Sequence, residues 1–314
     1  MEIKKKFILT IVLLSYLATA INGAIVITGL ENMAKDLDLN QSVLSWVQNS
    51  YVLAWGCFML LGGRLSDVFG RRGILNLSLL LFGIGSLFAG IATSATILIF
   101  SRFIQGVGAS ILAPTSLALI MDYFTGEERI KAIAWYSSIS GLGMCIGLVI
   151  GGTLASFFSW RYGFFIYLPL IGFQIVSMKV LNKNKQKHSK GYFDICGTIA
   201  SVIGIFSFVY AVNGASNIWL WLIVSCISLF LFMRIESKAT APIMPLRLFN
   251  KSRTRANIAR ILFAGAMMGF YFFVSEYLQE VFMFSPLWAG VAFFPLTLFT
   301  FWGAIEVPRA VRRW

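Results

Sequence analysis

Acidic residues are scarce in this chain. It has 13 Asp and Glu in 314 residues, against 26 Lys and Arg, and a single histidine. No carboxylate falls at mid-depth in any long apolar run; Asp194, Glu276, Glu280 and Glu306 all sit near run ends. Paired carboxylates for acid–base chemistry are therefore missing. So are a His/Cys cluster, a nucleophile elbow and a GxxxxGK[ST] phosphate loop, which excludes the common enzyme chemistries and direct ATP drive. Gly106-Val107-Gly108 is a fragment of a dinucleotide fingerprint, but no strand precedes it. No cofactor is expected. The four cysteines, Cys57, Cys145, Cys196 and Cys226, lie singly within apolar runs without metal-ligand spacing and read as free thiols. Charged residues of all kinds make up only 12%, about half the share of a soluble domain.

What fills the chain instead is apolar: 58% of residues, with a mean hydropathy of +0.79. This composition defines an all-α polytopic membrane protein. The first apolar run begins at Phe7 and continues to Leu30, about 36 Å of helix and enough to cross a bilayer. Its lysine-rich start and Ala18-Thr19-Ala20 also fit a secretory signal, but the run extends well past that cleavage motif. Nine further runs follow at about 44–62, 74–92, 96–121, 132–157, 163–181, 193–213, 217–234, 257–281 and 287–306. Ten spans with a cytoplasmic N-terminus place all but three of the 26 basic residues on the inner side, the exceptions being Lys35, Arg102 and Arg161. The net charge of +13 would suggest nucleic acid in a soluble protein; here it sets orientation, and no nucleic-acid partner is implied. The expected setting is the cell membrane.

Residues 182–190, NKNKQKHSK, form a basic linker, and His188 within it reads as solvated. A second inner loop, 236–256, holds Pro242 and Pro245. The chain divides into residues 1–181 with six spans, 182–256 with the linker and two more, and 257–314 with the last two.

Gly63-Arg64-Leu65-Ser66-Asp67-Val68-Phe69-Gly70-Arg71-Arg72 is the most charged stretch between two apolar runs. Its charges must lie outside the hydrocarbon, and Gly63 and Gly70 read as the residues that let the backbone turn. Gly63, Leu65, Asp67, Gly70, Arg71 and Arg72 resemble the second-to-third-helix motif of the major facilitator superfamily, with Val68 where a basic residue is usual. In the fourth run, Arg102, Gln105, Gly106 and Gly108 resemble that superfamily's fourth-helix motif. Arg102 lies about 9 Å below the outer end of its helix. Snorkelling is one reading, but Gln105 shares its face at i+3, which suits a helix lining an aqueous cavity. By resemblance, Arg102 is implicated in proton coupling.

Gly143, Gly147 and Gly151 recur every four residues, with Gly152 beside them, and form a groove for close backbone approach. They resemble the antiporter motif of the fifth helix, with Leu148 at its proline position and Met144 where relatives often carry another proline. Ser159-Trp160-Arg161-Tyr162, Phe164-Phe165-Ile166-Tyr167-Leu168-Pro169, Phe193-Asp194-Ile195-Cys196-Gly197, Pro245-Leu246-Arg247-Leu248-Phe249, Tyr277-Leu278-Gln279 and Ser285-Pro286-Leu287-Trp288-Ala289-Gly290 resemble, in order, landmarks of the fourteen-helix drug:proton antiporters. Two departures stand out. Asn22 occupies a first-helix position that is acidic in many relatives and cannot titrate, and Glu31 replaces a proline.

The resemblance implies a major facilitator fold with a complete first six-helix half, two linker helices and two helices of the second half, the chain being C-terminally truncated. It further implies a secondary transporter that exports small amphipathic compounds or drugs against protons by alternating access. Lipid, a small-molecule substrate and protons are the implied partners; oligomeric state is open. The alternatives are a neutral-metabolite transporter, or a non-transporting membrane remnant or regulatory protein. On this reading, Asp67 would hold the inner gate through an eleventh helix absent here, the glycine groove would face lipid, and the chain alone would not transport.

Overall fold

The computed structural model describes residues 2–178, 194–212, 216–239, 244, 250–296, 298–300, 302–303 and 306. Among these, all regular structure is helical: α1 Glu2–Leu37, α2 Gln41–Phe69, α3 Arg71–Gly90, α4 Ala95–Tyr123, α5 Gly126–Phe157, α6 Tyr162–Phe165, α7 Tyr167–Ser177, α8 Ile195–Val212, α9 Ile218–Lys238, α10 Lys251–Glu280 and α11 Pro286–Ala292. Eight of these are long and apolar enough to cross a membrane. The other two apolar stretches, Tyr162–Ser177 and Leu287–Thr300, are shorter. The protein is therefore a multi-pass membrane protein whose ten expected apolar segments occur in order, eight of them at full length. The linker at 182–190 with His188, Phe193, and the Pro245–Phe249 motif lie outside the described residues.

Local chemistry sets the helix ends. Asn40, Asn217 and Asn250 each accept the backbone amide three residues on, at 2.9, 3.3 and 2.9 Å, so each starts a helix where the preceding chain turns. The sixth segment is interrupted at Ile166, between α6 and α7. Pro169 supplies the reason, because it lacks the amide that would bond the Phe165 carbonyl. α1 runs unbroken through Ala18-Thr19-Ala20, the motif that had suggested cleavage, and Ala18 is buried.

α4 is the central helix, packed along its length by α2 on one side and α3 on the other, while α1 pairs mainly with α5. α8 and α9 form a hairpin whose first helix leans on α2, and α11 lies on α5. Two of the close approaches need glycine. A Cβ on Gly108 of α4 would sit 2.6 Å from the Phe82 amide of α3, and one on Gly62 of α2 would sit 2.7 Å from the Ser110 carbonyl of α4. The core between α1, α3, α4 and α7 is filled by Ile8, Leu79, Phe82, Leu112 and Tyr167. Exposed apolar side chains such as Phe100, Trp219 and Ile261 face outward from the bundle, as helices bathed in lipid require.

Candidate functional site

The glycine-bracketed loop is shorter than the sequence suggested. α2 continues through Phe69, so Gly63 to Phe69 are helical, and Gly70 alone (φ 92°, ψ 134°) joins α2 to α3. Gly63 is thus a helix residue with ordinary contact to Pro114, not a turn former. Apolar Leu65, Val68 and Phe69 carry the helix on, and one left-handed glycine is enough to start α3. Arg71 at the first position of α3 gathers the polar groups at this end. It pairs with Asp67, donates from Nη1 to Ser66 Oγ at 2.8 Å, and donates from Nε to Asp122 Oδ2 of α4 at 3.1 Å. Asp67 therefore has a partner inside the same half of the molecule. At this same end Lys5 of α1 pairs with Glu128 of α5.

Arg102 is fully buried. No part of Arg102 reaches the surface, so it does not snorkel. Its Nε donates to the Val47 carbonyl of α2 at 3.2 Å. Its Nη1 donates to Asn22 Oδ1 of α1 and, at 2.8 Å, to Gln105 Oε1 one turn along α4. Gln105 passes the chain on to Ser86 Oγ of α3 at 2.8 Å, and Ser86 donates to the Phe82 carbonyl at 2.7 Å. The guanidinium lies over the Tyr51 ring, 4.3 Å from its centroid. Asn22, chosen from the sequence on other grounds than Arg102 and Gln105, thus joins them in one network touching α1, α2, α3 and α4. The cost of desolvating such a charge is several kcal/mol, offset in part by three hydrogen bonds and a cation–π contact worth about 2 kcal/mol when dry.

The glycine groove of α5 does not face lipid. A Cβ on Gly143 would meet the Ala20 Cβ at 2.6 Å, one on Gly147 would lie 2.9 Å from the Ile21 Cα, and one on Gly151 would lie 2.7 Å from the Ile25 Cα. The groove therefore holds α1, and Gly152 beside it is buried too. α5 runs without a break from Gly126 to Phe157, in keeping with Leu148 in place of proline. Leu148 serves a different contact: its carbonyl oxygen would lie 2.6 Å from a Cβ on Gly290 of α11.

At the other end of the bundle, Asp36 of α1 pairs with Arg161 and accepts from Trp160 Nε1 at 3.2 Å, while Arg161 Nη2 donates to the Ala92 carbonyl at 3.0 Å. The Trp160-Arg161 pair, read from the sequence only as a landmark, is a clamp on α1 and on the turn that follows α3. Sequence reasoning also missed a cleft of about 260 Å³ near this end, between α1, α2 and α10. Glu31, Glu276 and Glu280 line it, with Gln279 and Ser275; Glu31 is paired with Lys35. Glu276 and Glu280 are one helical turn apart, which the sequence does give. That Glu31 joins them depends on how α10 lies against α1.

A multi-helix membrane bundle with a buried, neutral-ligated arginine at the centre of its first half defines the class. The model of the Major Facilitator Superfamily matches residues 12–314, and the chain belongs to that family. It is 32% identical over 298 residues to the puromycin resistance protein pur8 of Streptomyces alboniger, covering 92% of this chain and 59% of that protein. It is 29% identical over 304 residues to the multidrug transporter protein MdtP of Bacillus subtilis (strain 168), covering 94% of this chain and 56% of that one. The chain thus spans less than two thirds of the length of these curated relatives. Among solved structures, the peptide transporter POT in complex with sulfate shares the fold, with a TM-score of 0.65 at 16% identity over 98% of this chain and 68% of that one.

Proposed function

We propose that the chain acts in secondary active export of small amphipathic compounds, driven by protons through alternating access, in the cell membrane with its Lys5 end in the cytoplasm. The observation that carries this reading is the Arg102 network. An ionised residue inside a membrane bundle marks a functional site by default, and here it ties the first, second, third and fourth helices together in a way that packing alone does not need. The names of the relatives, puromycin resistance and multidrug transport, support efflux of amphipathic compounds. Asn22 takes no proton, so proton exchange in this reading falls to Glu31, Glu276 and Glu280 at the cleft. Arg71 and Asp67 fasten the cytoplasmic end, and the Gly143–Gly151 seam, flanked by Gly152, keeps α1 and α5 moving as one body. Arg72, beside Arg71, adds positive charge on the cytoplasmic face.

The test is compound-induced proton movement in everted membrane vesicles carrying the product of the full reading frame. Puromycin and a lipophilic dye cation are the probes. Proton release on addition of compound, abolished by a protonophore and reduced at least tenfold in Glu276→Gln, is the expected result. Compound-independent proton traces in vesicles with normal protein levels would overturn the reading.

A further inference from the structure

We propose that the Arg102 centre is a binding site for one small monovalent anion. The first reason is charge. The ion pairs among the described residues join Lys5 to Glu128, Lys35 to Glu31, Arg71 to Asp67 and Asp122, and Arg161 to Asp36. None reaches Arg102, whose hydrogen-bond acceptors are an amide carbonyl of the backbone and two side-chain amides. A guanidinium stays protonated under all ordinary conditions, so the centre holds a full positive charge.

The second reason is a surplus of donors. Arg102 Nη2, Asn22 Nδ2 and the Tyr167 hydroxyl have no hydrogen-bond partner, and their residues are 0%, 1% and 1% exposed. Tyr167 belongs to the same neighbourhood. It stands one turn beyond Phe164, whose ring centroid is 6.0 Å from the Arg102 guanidinium carbon. Its own ring packs edge-on against Phe82, the residue whose carbonyl ends the Arg102–Gln105–Ser86 chain.

Buried polar groups in folded proteins are nearly always satisfied. A water molecule would bring two more donors into a site that has donors to spare, and would leave the charge as it is. A dianion would reverse the charge. A halide, or the carboxylate of a bound substrate, accepts hydrogen bonds and neutralises the guanidinium. The proposal concerns binding and stands independently of whether the chain transports.

The experiment is thermal unfolding of the 314-residue chain in nanodiscs, in chloride, acetate and gluconate buffers of equal ionic strength, gluconate being the reference because its six-carbon polyol is too bulky for a fully buried site. A melting temperature that rises with chloride concentration over gluconate is expected, since a ligand of the folded state alone stabilises by mass action. A rise with chloride only assigns a halide site; a rise with acetate as well assigns a carboxylate site. Asn22→Asp places a fixed carboxylate beside Arg102 and should abolish the response. Tyr167→Phe keeps the ring but removes a donor, and should weaken the anion about tenfold, as loss of one hydrogen bond to a charge does. Equal melting temperatures in all three buffers would overturn the proposal, as would a full response in both variants.

Discussion

The carbonyl oxygen of Ser110 on α4 lies directly against Gly62 on α2, where a Cβ would come within 2.7 Å of it. Pro114 explains why that oxygen is there to be met. Lacking an amide, it cannot close the helical bond to the carbonyl four residues earlier, so the Ser110 oxygen faces its neighbour instead. Gly62→Ala should force α2 and α4 apart and cost about 1–3 kcal/mol, as overpacking does. Gly265→Ala, where nothing lies within 4 Å, is the control. Comparing their melting temperatures in nanodiscs checks this: a fall for Gly62→Ala alone is expected.

The α1–α5 seam makes a sharper prediction. Gly147→Val would drive a branched side chain into Ile21 and Ala24. Loss of folded protein on detergent extraction is expected. By contrast Gly172→Ala, which also meets nothing within 4 Å, should extract normally.

Arg102 is held by acceptors on three sides, so its variants should separate charge from geometry. Arg102→Lys keeps the charge but cannot reach Val47, Asn22 and Gln105 together. Arg102→Ala leaves the Asn22 and Gln105 side-chain oxygens dry and without that donor, at a cost of about 1–3 kcal/mol for each group. Both should lower thermal stability, Arg102→Ala the more. Unchanged melting of Arg102→Ala would show that the network has no structural weight.

Arg71 bridges Asp67 and Asp122 at half-exposed positions, where each ion pair contributes about 0.2–1 kcal/mol. A double-mutant cycle with Asp67→Asn and Asp122→Asn should find the two losses non-additive, because one guanidinium serves both. High salt should shrink the effect. Thermal denaturation at low and high ionic strength reads both.

Orientation is tested by cysteine labelling in a cysteine-free background. Asn40 and Asn217 cap helices, so their exposed neighbours Ser42 and Ser216 are the better probes. Both should react from outside intact cells, while Thr125 should react only after permeabilisation. Labelling of Thr125 from outside would reverse the assigned orientation.

The sequence by itself determined the membrane class, the order of the ten apolar segments and three polar residues of the central network, Asn22, Arg102 and Gln105. Each of these depends on local composition: hydrophobic length, the side of the charges, and polar residues such as Arg102 and Asn22 where apolar ones belong. It misjudged the stretch Gly63–Phe69, because charge in a helix end and charge in a loop look the same in one dimension. Only the tertiary structure decided which helix fills the Gly143–Gly151 groove, that Arg102 is buried and bonded to α1 and α2, and that Glu31 meets Glu276 and Glu280. Periodicity names the face of a helix that must be covered. It does not name the neighbour, because that choice depends on how several helices pack at once, and close packing of side chains from distant parts of the chain settles it.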